Sequence, residues 1–146
     1  MDDLANELRL LVADAYMRLR QISEAEAERP LGPGQWSMKE TVGHLVDSAA
    51  NNHHRFVRGQ MTERLSFPGY RQDDWVDSQR YGLESWRDLL DLWRAYNLHL
   101  RHVISSIPAG RLDNQCVLDD AEPVTLRFLA TDYVAHLRHH LGQMLA

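Results

Sequence analysis

Ser37-Met38-Lys39-Glu40-Thr41-Val42-Gly43-His44-Leu45 places a glutamate three residues after a serine, with apolar residues beyond. That spacing is a capping box. The Ser37 hydroxyl accepts from the amide of residue 40, and the Glu40 carboxylate returns to the amide of residue 37, so two amides that a helix start leaves free find partners. Leu45, Ala49 and Phe56 share one face beyond it, which predicts a helix from Ser37 to about Arg64, ahead of Phe67-Pro68-Gly69. Outward from there, prolines at 30, 33, 68, 108 and 123 leave four long segments without one. A proline inside a helix costs about 3 kcal/mol, so these positions are expected boundaries. Before the box, Leu4, Leu8, Leu11, Ala15, Leu19 and Ile22 step by three or four and predict an amphipathic helix ending near Glu28. After it, Ser85-Trp86-Arg87-Asp88 is a second box-like start, and Leu89, Trp93, Leu100, Val103 and Ile107 continue to Pro108. A fourth helix caps at Thr125 and runs through Leu126, Leu129, Tyr133, Leu137 and Leu141 to the C-terminus.

Four amphipathic segments predict an all-α fold, a single four-helix bundle occupying residues 1–146. The connection over 65–84 is long, with room for one helical turn near 74–78. Such a crossover lets helices two and three run parallel, in place of simple up-down-up-down order. Strand signals are confined to Cys116-Val117-Leu118 and Val124, a short extended pair around Asp119-Asp120.

The chain has 146 residues, of which 44% are hydrophobic and 25% charged, a balance that supports one folded domain and excludes a disordered chain. Sixteen basic against 21 acidic residues leave a net charge of -5, and no basic stripe interrupts it, which argues against nucleic-acid binding. The single cysteine, Cys116, forms no internal disulfide; its setting among acids at 113, 119 and 120 disfavours a thiolate, and it reads as a small packed side chain. No apolar run approaches the ~20 residues of a membrane span, and the opening MDDLANELRL lacks the positive charge of a signal peptide. The expected location is the cytoplasm.

Histidine is the outlier, with eight residues. The last helix reads His136-Leu137-Arg138-His139-His140-Leu141-Gly142-Gln143, in which His136 and His140 lie one turn apart on one face, the spacing by which a helix offers two imidazoles to one metal. His44 stands about seven residues into the second predicted helix. If that helix and the last run antiparallel, His44, His136 and His140 fall at similar depth. The competing reading makes each a hydrogen-bonded core residue. His139 turns away from the line, His53 and His54 are expected to be exposed, and His99 and His102 partly buried.

Trp36-Ser37-x-x-Glu40, then Gly43-His44-Leu45-x-Asp47-Ser48, then His136-x-x-His139-His140-x-Gly142-Gln143 resemble the DinB-like (DinB/YfiT-like) superfamily of metal-binding four-helix proteins. The segments Asp47–His53 and Glu122–Thr125 add to the likeness, which spans nearly the whole chain. The resemblance implies up-down-down-up helix order, a homodimer, and a divalent metal held by His44, His136 and His140. Nickel or zinc leads, with iron or manganese as further options. It also implies reactions like those of relatives that transfer bacillithiol or mycothiol, or isomerise maleylpyruvate with mycothiol.

Three neutral imidazoles leave a divalent ion its full charge and an open position, whereas structural zinc sites close with four protein ligands. An open position suits an enzyme, and the leading reading, which the resemblance implies, is a metal-dependent thiol S-transferase acting on a small electrophile. A metal-dependent hydrolase is the second, weakened because no general base is evident, and a non-catalytic metal-binding module is the third. Tyr133 and Asn51, each seven residues from a ligand, are the weak catalytic candidates. Asp47 and Asp132 could orient an imidazole. Tyr70, Trp75 and Tyr81, in the crossover, either shape a pocket or cover the bundle. The reference value of ~6.5 for histidine predicts metal loss as pH falls through that range.

Overall fold

Both halves of the Ser37 capping box are formed. The Ser37 amide donates to Glu40 Oε2 at 2.8 Å, and the Glu40 amide to Ser37 Oγ at 3.2 Å. The computed structural model describes residues 1–146. In it the box opens α3, Met38–Arg58, one of four long helices with α1 (Asp2–Leu19), α5 (Trp86–Ser105) and α6 (Leu126–Met144); α2 (Glu24–Ala27) and α4 (Gln72–Gln79) are short. Ser85 Oγ caps α5 by accepting from the Asp88 amide, and Thr125 Oγ1 caps α6 by accepting from the Phe128 amide.

Two predicted boundaries are corrected. The first helix stops at Leu19 rather than near Glu28, because Ser23 and Glu26 form a capping box of their own that starts α2 on a new axis. Lys39, 1% exposed, then reaches from α3 to pair with Glu24 and Glu28, which anchors α2 beside the start of α3. The second predicted helix stops at Arg58 rather than near Arg64. Beyond it the burial of Arg64–Phe67 alternates, with Leu65 and Phe67 inward, which is a strand's period and not a helix's.

That segment is β1, Arg64–Phe67, and it corrects the all-α expectation to a mostly helical fold. It pairs in parallel with β2, Gln115–Leu118, placing Arg64 opposite Gln115 and Phe67 opposite Leu118. The expected pair is present as β2 and β3, Val124–Thr125, antiparallel with Cys116 opposite Val124. Asp119 closes the turn at φ 49°, a left-handed conformation that aspartate tolerates better than most residues. The amide of Asp119 donates to Phe67 and its carboxylate accepts from the Gly69 amide, tying the two loops together. Cys116 is fully buried in β2, and burial raises its thiol above the ordinary value, so it packs as expected, though for a different reason.

Each long helix packs on two others, α1 on α5 and α6, and α3 on α5 and α6, around a core that includes Leu8, Leu45, Phe56, Trp93, Leu100 and Leu137. Leu19 accepts from the Trp86 indole while Tyr16 donates to Asp91. His44 meets His136 and His140 across α3 and α6, and further along Phe56 meets Tyr133. Residue numbers rise on α3 as they fall on α6, so those two helices run antiparallel. No helix is long and apolar enough to cross a membrane.

Candidate metal centre

His44 sits in the second turn of α3, 1% exposed, and neither of its ring nitrogens has a hydrogen-bond partner. A buried polar group without a partner is costly, and native proteins rarely keep one without a reason. Facing it, His136 and His140 bring their Nε2 atoms within 3.1 Å of each other. One nitrogen from each of the three imidazoles lies within 4.8 Å of the others. Ligands about 2.1 Å from a shared ion stand roughly 3.0–3.4 Å apart for angles between 90° and the tetrahedral value. The α6 pair therefore stands at ligand separation, and the orphaned His44 nitrogens fit the same use.

The setting keeps these imidazoles neutral. His44 is lowered to about 4, first by burial and then by His140 and His136. His140 is lowered to about 4 by burial, His136 and His139. His136 is lowered by burial, opposed by the nearby Asp132. Neutral imidazole is the form that ligates, so the expected acid loss moves from about 6.5 toward about 4 for two of the three.

Packing behind His44 explains the Gly43-His44 pair. A Cβ on Gly43 would lie 2.1 Å from the Tyr81 ring, so only glycine lets that ring lie against α3. The Tyr81 hydroxyl donates to Asp47 Oδ1 at 2.6 Å, and the Gln79 amide to the same oxygen at 2.8 Å. Asp47 thus holds the crossover onto α3; neither of its carboxylate oxygens bonds to a histidine. Burial raises its carboxyl above the usual range, against the pull of those two donors.

The remaining expectations resolve individually. Asn51 turns back to the Asp47 carbonyl of its own helix, at 2.9 Å. Tyr133 donates its hydroxyl to Asn97 at 2.5 Å, in the core at one end of a cavity. Asp132 is exposed, as are His54 and His139. His53 is half-buried rather than exposed, its Nδ1 3.1 Å from the Tyr96 hydroxyl, while His99 and His102 are exposed rather than partly buried. In the crossover, Tyr70 lines the cavity, Tyr81 packs on Gly43, and Trp75 is exposed, with its ring beside Tyr70.

Two cavities meet the histidines. One of about 350 Å³ is lined by His44, Ser48, Asn52 and Arg55 of α3, by His136 and Tyr133 of α6, and by Phe67, Tyr70 and Gln72 among others. The other, about 550 Å³, is lined by Gln35, Trp36, Thr41, Gln72, His140 and Gln143 among others. Gln72 borders both. Sequence reasoning followed the line from His44 to Asn51 and missed Ser48, Asn52 and Arg55. Offsets of four, eight and eleven also share the His44 face, so the signal was present in the helical period.

The model of the DinB superfamily matches residues 7–144. A Bacillus cereus protein named "Putative metal-dependent hydrolase" is 24% identical over 146 residues, covering 99% of this chain and 79% of the relative. A Bacillus mycoides protein of the same name is 25% identical over 77 residues, so that match covers 53% of this chain and 40% of the relative. Among solved structures, YfiT from Bacillus subtilis, described as "a probable metal-dependent hydrolase with an unusual four-helix bundle topology", superposes with a TM-score of 0.88 at 20% identity, over 97% of this chain and 82% of that one. A mycothiol-dependent maleylpyruvate isomerase superposes with a TM-score of 0.78 at 11% identity, over 97% of this chain and 59% of its own. At these identities the structures establish the shared fold alone.

Proposed function

Because the chain belongs to the DinB superfamily, we propose that it is a divalent-metal-dependent enzyme whose ion is held by His44, His136 and His140, and that it transfers a small thiol to an electrophile. The observation that carries the metal is the buried His44 ring, with two unpartnered nitrogens, facing the paired Nε2 atoms of α6. Zinc or nickel suits three imidazoles, and iron or manganese is a further option. When bound, the ion supplies Lewis acidity, which brings a weakly acidic S–H or O–H group within reach of ionisation near neutral pH.

The chain's own residues do the rest. Burial of His44 keeps water from its ring, and the Tyr81–Asp47–Gln79 contacts hold α3 and the crossover in register. Two cavities bordering one histidine cluster give separate places for two reactants, which favours transfer over addition of water. The isomerase of the same fold uses mycothiol, as its name states, and supports the thiol. Hydrolysis is the second reading, favoured by the names that the Bacillus relatives carry.

The same proposal takes the helix order as up-down-down-up. Gly43 beside Tyr81 and His53 beside Tyr96 support parallel α3 and α5. It takes the partner as a small molecule and the assembly as a cytoplasmic homodimer; with a net charge of -5 it expects no nucleic-acid partner. The test is metal analysis of untagged protein, followed by a screen of low-molecular-weight thiols with electrophiles against a thiol-free hydrolysis control. Thiol-dependent product from metal-loaded protein supports transfer. Turnover without thiol selects hydrolysis, and absence of stoichiometric metal overturns both.

A further inference from the structure

Arg55 ends the line of α3 residues that starts at His44, and its guanidinium faces the 350 Å³ cavity that His44 and His136 border at the other end. The protein's five ion pairs use Arg18, Lys39 twice, Arg71 and Arg138, so Arg55 has no carboxylate within pairing distance. Its only side-chain partner is the Phe67 ring, with the guanidinium carbon 4.5 Å from the ring centroid. Asp119 attracts Arg55 through space but lies beyond ion-pair distance, and one of its carboxylate oxygens accepts from the Gly69 amide. Glu122 and Asp132 also line the cavity, but both are exposed, where water and salt screen them. A half-buried guanidinium with its hydrogen-bond donors unused is unusual, because its fork of N–H groups matches a carboxylate or phosphate. Burial also lowers Arg55 from its ordinary value, an effect that Tyr70, Asp119 and Cys116 offset only in part.

We propose that Arg55 is the anion-recognising residue of this site, and that the ligand of this cavity is a small organic acid with an apolar body. Its anionic group pairs with Arg55 and its other end lies toward His44 and His136. Leu118, Val124, Phe128 and Leu129 wall the space between and fit the apolar body. Eleven residues of helix separate His44 and Arg55, about 16 Å of rise, which the backward lean of a helical arginine shortens. The ligand is therefore elongated rather than compact. The orientation toward the histidines rests on the proposed function, whereas the recognition of an anion by Arg55 does not.

The experiment measures binding of 4-phenylbutyrate and of its neutral amide to chelator-treated full-length protein by calorimetry, and repeats both with zinc-loaded protein. Metal-free wild type is expected to bind the carboxylate about tenfold or more tightly than the amide, the scale of a charge-assisted hydrogen bond. Arg55→Gln should abolish that preference, Arg55→Lys should retain part of it, and Glu122→Gln should leave it equal or larger. Circular dichroism establishes that each variant is folded, and the wild-type comparison needs no variant. A carboxylate bound no better than its amide, a preference that survives Arg55→Gln, or one that exists only with zinc present overturns the proposal. Failure to retain zinc alongside an intact metal-free preference overturns the metal reading and leaves Arg55 standing.

Discussion

The eight histidines form two groups of four, and they meet opposite fates. His44, His136 and His140 gather between α3 and α6, with His139 exposed beside His140 on α6; His53, His54, His99 and His102 gather on α3 and α5. Ring spacings are alike, 4.9 Å between His44 and His140 and 5.1 Å between His53 and His99. What differs is water and partners. In the first group the paired Nε2 atoms of α6 face a buried ring with nothing to bond to. In the second, His53 has the Tyr96 hydroxyl, and His54, His99 and His102 reach solvent. Proximity of imidazoles is therefore a poor sign of a metal site. A buried ring with unsatisfied nitrogens facing two more imidazoles is a better one.

The largest effect that would break this contrast is on metal affinity. His44→Ala, His136→Ala and His140→Ala should each weaken zinc binding by at least about a hundredfold, above the usual effect of losing a residue that merely supports a ligand. His53→Ala and His139→Ala should leave it unchanged in equilibrium dialysis. Equal losses in both sets would erase the distinction.

Metal should next separate from fold. Chelator-treated protein is expected to remain helical, since the core is built without the ion, and zinc at a hundredfold excess over its Kd should add about 2.7 kcal/mol. Thermal melts followed by circular dichroism check both. In the metal-free protein, His44 and His140 titrate near 4 when folded against about 6.5 when unfolded. The unfolded chain then binds more protons between these values, so stability is full above about pH 6.5 and falls as pH drops toward 4. His44→Leu should flatten that slope more than His53→Leu. Zinc should be held at pH 5.5 and released toward pH 4.

Gly43→Ala sharpens the comparison from the packing side. The added methyl group enters the Tyr81 ring, so a loss of about 2 kcal/mol is expected in denaturant melts despite a gain of about 1 kcal/mol in helix propensity. The smallest effect belongs to the second group. Tyr96→Phe removes one half-buried hydrogen bond to His53 and should cost about 1 kcal/mol with no change in metal content.

Local chemistry was legible without coordinates. The Ser37–Glu40 box, the Ser85 and Thr125 caps, the β2–β3 pair and the four apolar faces depend on neighbours within a few residues, and each stands where spacing put it. His136 and His140 belong to this class, because the helical period alone puts them on one face. The misjudged boundaries had a local signal too: Ser23–Glu26 is a capping box, and Arg64–Phe67 alternates. A stretch of four residues, however, does not state which period it follows until a partner strand or a helix supplies one.

Tertiary structure alone decided the rest. The parallel pairing of β1 with β2 joins residues about fifty positions apart, and only the folded chain supplies the ladder that makes Arg64–Phe67 a strand. Whether His44 is dry, whether Tyr81 lies on Gly43, whether His53 finds Tyr96, and whether Arg55 goes unpaired are all properties of packing across elements. A residue's periodicity determines the face it occupies. Its hydration and its hydrogen-bond partners, which set its pKa and its chemistry, come from whatever the fold brings against that face.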